Sequence, residues 1–334
     1  MTLVRGLSRL ALACVGLAPL LAVELAAAQE VIGTRPASHP LPVQAPGTRL
    51  TFRFLLSPYA SGGVTPAMTV PATGWTATLV DAAGRGRMDV ENVQGPGLFA
   101  AGDYALYDSA HFVIVHPAAR TFTVRRQHEP TSSLIPLGLT SRVGGVVASF
   151  ESLGTGGLVD GSPTQLYRTT LTYHMTVELK AMVPGLAELE PPRYDVALTM
   201  DYWFAESTAA VSVPFLSSPL KARAAAFNPV RELLERLRPA GVSQAQIEHA
   251  ATNAAPFPSG MLLLKTATST RAVHTAGTAG SDMLMEISGR ASTSVDLRRL
   301  VIPEGFTADQ PTDDIPRGEI EAVVRKWRPN VRGM

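Results

Sequence analysis

Seven histidines are the residues of this chain best suited to acid–base or metal chemistry. His111 and His116 flank one short apolar stretch beside Asp103 and Asp108. A metal site needs two or three such groups brought together, but a five-residue separation sends these two to opposite faces of a regular strand. They are expected at an edge and in a loop. His174 and Asp201 lie on the polar sides of two alternating segments. Paired across a ladder they would make a cross-strand contact of a few tenths of a kcal/mol, or an acid–base pair in need of a nucleophile; the structural contact is the expectation. Trp203 shares the polar side with Asp201, and a tryptophan there implies that something touches it, a partner protein or a segment of the same chain.

The nucleophile elbow G-x-S-x-G, the H-E-x-x-H zinc helix, the phosphate loop and the G-x-G-x-x-G fingerprint are all absent. The glycine-rich run Gly154-Thr155-Gly156-Gly157 precedes neither a helical pattern nor a lysine, so a β-turn is expected there. These observations lead to no catalytic residue, no metal and no cofactor. An enzyme survives as an alternative because a hydrolase triad is recognised by geometry and not by sequence order.

Charge excludes a further class. The chain carries 29 basic and 28 acidic residues, and removing Arg5, Arg9 and Glu24 with the N-terminal leader leaves 27 of each. A nucleic-acid binder shows a basic excess gathered on one face, so no nucleic-acid partner is expected. The leader has the three zones of a secretory signal peptide: Arg5 and Arg9, an apolar stretch from Leu10 to Val23, and Ala26-Ala27-Ala28 before Gln29. The apolar stretch is broken by Pro19 and closed by Glu24, short of the ~20 residues that span a bilayer. Cleavage near Ala28 is expected, giving an exported, periplasmic protein that does not span the membrane. Cys14 is the sole cysteine, and Ala11 stands where lipidation would want a leucine. The processed chain therefore has no thiol, and packing alone must hold it.

The elements that would position any site are strands. From Leu50, Phe52, Phe54 and Leu56 alternate with polar residues, as a half-buried strand demands; a loop is expected from Pro58 to Thr73. Short strands follow at Trp75 to Val80, Met88 to Val93, Tyr104 to Tyr107, His111 to Val115 and Thr121 to Arg125, with turn residues so closely spaced that only an antiparallel meander fits. Val143 to Glu151 adds one more. The clearest alternation runs from Tyr167 to Leu179 and again from Tyr194 to Phe204, predicting a long hairpin in a wide, curved sheet. Strands resume at Met261 to Thr270 and from Met283 to about Ile302. Helices are confined to two short ones after Asn228 and Ser243, each with its own cap, and a C-terminal one carrying Ile320, Val323, Val324 and Trp327. That last helix is expected to strap onto the sheet, with a basic surface arm as the alternative.

The reading is a mainly β, α+β fold: a curved antiparallel sheet or incomplete β-barrel covered by a few short helices. The chain divides into a signal peptide (1–28), an extended leader (29–47), a half-barrel domain (48–306) and a tail with a short helix (307–334). One face of the sheet is lined by Phe52, Phe54, Tyr173, Met175, Met200 and Tyr202. Either loops and curvature fill the core over that face, or a concave apolar cavity takes a lipid-like ligand.

The order of several weak motifs carries a resemblance. The signal peptide, Arg87-Met88-Asp89, Gly102-Asp103-Tyr104, the hairpin with His116-Pro117, the strand from Tyr167-Arg168 to Met175, Asp201-Tyr202-Trp203 and the closing Leu300-Val301-Ile302-Pro303-Glu304-Gly305-Phe306 follow one another. Over most of residues 48 to 306 this resembles bacterial exported domains of unknown function related to the periplasmic lipoprotein-carrier (Lol-type) superfamily. The resemblance implies an incomplete barrel whose concave apolar face is covered by helices and takes up acyl chains, and it implies no catalytic residue. The longer leader and extra tail depart from it. The functional expectation is a non-catalytic periplasmic protein that binds a hydrophobic or acylated ligand. The alternative is an envelope scaffold with a filled core whose protein partner meets Trp203 or the basic tail.

Overall fold

The computed structural model describes residues 44–62, 72–82, 85–95, 99–108, 110–126, 139–179, 193–206, 228–255, 258, 261–309 and 315–328. The signal peptide, Cys14 and most of the leader lie outside them.

Among the described residues, twelve strands form one sheet: β1 (Gln44–Gly62), β2 (Thr73–Ala82), β3 (Arg85–Gln94), β4 (Tyr104–Tyr107), β5 (His111–His116), β6 (Thr121–Arg126), β7 (Leu139–Val159), β8 (Ser162–Leu179), β9 (Arg193–Glu206), β10 (Met261–His274), β11 (Gly277–Asp296) and β12 (Thr307–Ala308). Their spatial order is β12-β6-β5-β4-β3-β2-β1-β11-β10-β9-β8-β7. Two meanders, β1 to β6 and β7 to β11, are thus zipped along the long β1/β11 seam, and every pairing is antiparallel except β12 on β6. The sheet is curved and does not close.

The expected leader boundary and the loop after Pro58 are corrected by this seam. β1 begins at Gln44 and runs on to Gly62 because β11 pairs with it throughout. Proline removes a ladder donor and is tolerated where a strand has an open side. Pro46 and Pro58 both lie where β1 has lost β2, whose pairing spans only Thr48 to Leu56. The expected turn at Gly154–Gly157 is also corrected. Gly154 and Gly157 take positive φ at two register shifts inside β7, and the hairpin turns instead at Asp160-Gly161, where φ is 48° and 69°. That is the two-residue, doubly left-handed turn that Asp-Gly favours.

Among the described residues, three α-helices pack on the sheet: α1 (Pro229–Arg236), α2 (Gln244–Thr252) and α3 (Arg317–Trp327). α1 and α2 bury Val230, Leu233, Leu234 and Ile247 against Tyr194, Leu198, Met200 and Phe204 of β9 on what we call the inner face. α3 buries Val323 and Trp327 on the opposite face with Leu106, Val113 and Phe122, and the Trp327 carbonyl accepts from Ile302 N at 2.8 Å. Covered on both sides, β4 and β5 read in sequence as the continuous apolar runs Tyr104–Tyr107 and Phe112–Val115. None of the described helices is long and apolar enough to cross a membrane.

Candidate functional site

Residues paired in a ladder lie on one side of the sheet, so the registers map the inner face row by row. Tyr167, Tyr202, Thr266, Met285, Phe54 and Trp75 form one row from β8 to β2; Thr169, Met200, Thr268, Met283 and Leu56 form the next. Leu171, Leu198, Thr270 and Ser281 follow, then Tyr173, Val196, Ala272 and Ala279. Met175 pairs with Tyr194, and Phe52 with Ala77 and Ile287. All six sequence-predicted ligand residues therefore occupy one face.

They fall into two clusters on it. Tyr173, Met200 and Tyr202 are buried beneath α1 and α2, with Met175 packed beside them at partial burial. Phe52 belongs to a second cluster with Leu79, Met88 and Ile287, and Phe54 stacks on Trp75 at 5.3 Å between ring centroids. Burial pushes the phenols of Tyr173 and Tyr194 up to about 12, so both stay neutral donors.

The helical roof is a self-contained unit. Asn228 caps α1 through Arg231 N and donates its side-chain amide to Ala251 O at 2.8 Å; Ser243 and Gln246 form a capping box on α2. Arg231 bridges both carboxylate oxygens of Glu248, lowering its pKa. These polar ties join α1 to α2, whereas the residues facing the sheet are apolar. Just beyond α2, Ala255 N donates to Phe150 O of β7 at 2.9 Å.

Among the polar side chains on the inner face, which include Ser281 and Asp81, four threonines stand out. Thr169, Thr266, Thr268 and Thr270 are between 0 and 4 % exposed, and none of their hydroxyls has a hydrogen-bond partner among the described residues. Sequence reading passed over them. The Thr-Ala-Thr-Ser-Thr run of 266–270 alternates threonine with equally small residues, and only Lys265 and Arg271 in β10 mark the outer face. The available signal was the period-2 threonines themselves, once the flanking charges are assigned outward.

The polar pairs resolve differently from expectation. His174 pairs with Asp195, not Asp201, its Nδ1 lying 2.5 Å from Asp195 Oδ1 on an exposed surface. Asp201 faces Arg168 instead, in a two-pronged ion pair of 2.6 and 2.7 Å. The register decides this, because Arg168 is six residues before His174 on β8 just as Asp195 is six before Asp201 on the antiparallel β9. Trp203 is half-buried: its indole N–H donates to Gly156 O at 3.1 Å, and Lys265 Nζ sits 4.9 Å over the ring. What touches Trp203 is its own chain. His116 Nδ1 lies 2.8 Å from Asp103, and His111 Nε2 lies 3.1 Å from Glu319 of α3, so each histidine serves a separate contact. No group of three or more His, Cys, Asp or Glu side chains placed to hold a metal occurs among the described residues.

Fold and face together define a curved, unclosed antiparallel sheet whose apolar inner surface is roofed by a helical hairpin. No protein-family model matches the chain, and no curated protein does.

Proposed function

We propose that this is an exported, periplasmic, non-catalytic carrier that takes a hydrophobic or acylated ligand between the inner face and the α1–α2 hairpin. The observation that carries the reading is the roof's construction: polar bonds hold it together, while apolar contacts join it to an apolar sheet. Such a roof moves as one body at the cost of apolar burial, which an acyl chain replaces at ~25 cal/mol per Å², and of the one backbone bond from Ala255 to Phe150. Export rests on the leader with Arg5, Arg9 and Ala26-Ala27-Ala28. The Lol-type resemblance points to the same ligand class.

A second reading, an envelope scaffold with a filled core, draws on the burial of Met200 and Tyr202, 1 % and 7 % exposed. Titration with a fluorescent fatty acid separates the two. The carrier shows saturable binding that Met175→Asp abolishes and Met175→Leu keeps, with both variants folded by circular dichroism. A scaffold shows no saturable binding in any of the three proteins.

A further inference from the structure

The four buried threonine hydroxyls call for a physical account. Thr266, Thr268 and Thr270 follow one another on β10 at every second residue, about 6.7 Å apart. Thr169 lies in the Thr268 row, separated from it by Met200. A strand, unlike a helix, offers a threonine no carbonyl one turn back. Among the described neighbours in these rows, the residues beside Thr266 and Thr268 are Tyr202, Met285, Met200 and Met283. Thr270 has Leu198 on one side and the buried Ser281 on the other, and its own carbonyl accepts from Tyr59 Oη at 3.2 Å on the far side of the sheet.

Buried hydroxyls that find no partner destabilise the fold. Valine has the same branching at Cβ, favours strands equally and would fill a closed core without that cost. Four such hydroxyls on one face, three at a regular spacing, are instead what a bound acceptor requires. The acceptor is neutral: the rows that carry these threonines hold no lysine, arginine or histidine on the inner face among the described residues.

Resting on the carrier reading above, we infer that Thr266, Thr268 and Thr270, with Thr169 beside them, form a donor rail for acyl carbonyl oxygens. The ligand of the inner face is accordingly an ester-bearing acyl lipid and not a plain hydrocarbon or ether lipid. The hydroxyls are unsatisfied in the closed protein and satisfied in the loaded one, so the rail lowers the stability of the empty state and raises affinity for cargo.

The test compares two probes with the same headgroup, a short-chain diester phosphatidylcholine below its micelle concentration and its diether analogue, titrated calorimetrically into residues 29–334. The rail predicts at least about tenfold tighter binding of the diester. In Thr266→Val/Thr268→Val/Thr270→Val that preference disappears while the melting temperature of the unliganded protein rises; single Thr268→Val shows the same two changes in smaller measure and serves if the triple variant misfolds. Equal affinity for diester and diether in the native protein, or a preference that survives in the valine variants, overturns the rail and leaves the carrier standing. Failure of the native protein to bind either probe overturns the carrier reading and the rail together.

Discussion

Asp160, at the tip of the β7–β8 hairpin, reaches across to β11: its Oδ1 accepts from Gly289 N at 2.9 Å and its Oδ2 from Arg290 Nε at 3.0 Å. β8 and β11 are separated by β9 and β10, which in a flat sheet places them about 14 Å apart. The sheet therefore curls at this end until its hairpin tip touches the central seam. Val159, one residue before the tip, packs in the cluster that joins Ala205, Leu262 and Leu264 to Phe52, Met285 and Ile287.

This latch should be measurable. Burial pushes the Asp160 carboxyl up, but the Gly289 N–H and the Arg290 guanidinium outweigh it and hold the pKa below its ordinary value. A depressed carboxylate contributes stability above its unfolded pKa and loses it as pH falls through the folded one. Arg290→Ala is expected to cost about 1 kcal/mol at pH 7 and to flatten the acid limb of the stability profile. Urea unfolding from pH 7 down to pH 3 checks both.

Asp81 predicts the opposite pH dependence. It pairs with Gly86 on the inner face in the row that leads to Tyr107, its Oδ2 has no hydrogen-bond partner among the described residues, and burial alone raises its pKa from 3.8 to about 7. A raised carboxyl destabilises the fold progressively as pH rises from about 4 to 7, at up to about 1.4 kcal/mol per unit. Asp81→Asn should be near neutral at pH 4 and stabilising by roughly 2 kcal/mol or more at pH 8. Parallel stability profiles for the two proteins would contradict the assignment.

The α2 capping box sets the integrity of the roof. Ser243→Ala removes the bond to Gln246 N and should cost about 1 kcal/mol. The effect should appear as faster amide exchange in 244–252 and faster ligand exchange, with the protection of β9 unchanged. Uniform loss of protection across the sheet would mean that roof and sheet are one cooperative unit.

The C-terminal helix is a structural strap in this account. Trp327 is fully buried, with the Arg85 guanidinium 5.0 Å over its ring, and Lys326 Nζ lies 2.6 Å from Asp108. Trp327→Ala should destabilise by roughly 3–5 kcal/mol while leaving ligand affinity in the folded fraction unaltered, as equilibrium unfolding and binding at low temperature would show.

Much of this fold is legible in the sequence because alternation and turn chemistry are local. Tyr104–Tyr107 appears with the expected ends, and the Tyr167–Met175 and Tyr194–Phe204 stripes each keep to one face as read, while the side chains of 177–179 lie outside the described residues. The misjudged parts depend on neighbours the sequence does not order. Pro58 ends a strand only when both flanks are paired, and β2 has already left β1 there. Gly154 and Gly157 mark a turn only if the strand does not bulge, and β7 bulges. His174 could not be matched to Asp195 without the β8/β9 register. The threonine rail was hidden for a related reason: a hydroxyl in a strand is unremarkable until burial and its missing partner are both known.

The central claim, a ligand-binding inner face, is tested most directly by native mass spectrometry of residues 29–334 purified from a periplasm without detergent, set against the denatured mass of the same sample. The carrier account predicts additional mass that is lost on denaturation and identified as an acyl lipid. A bare native mass, unchanged after incubation with acyl lipids, would contradict it and leave the sheet and its roof as a filled scaffold.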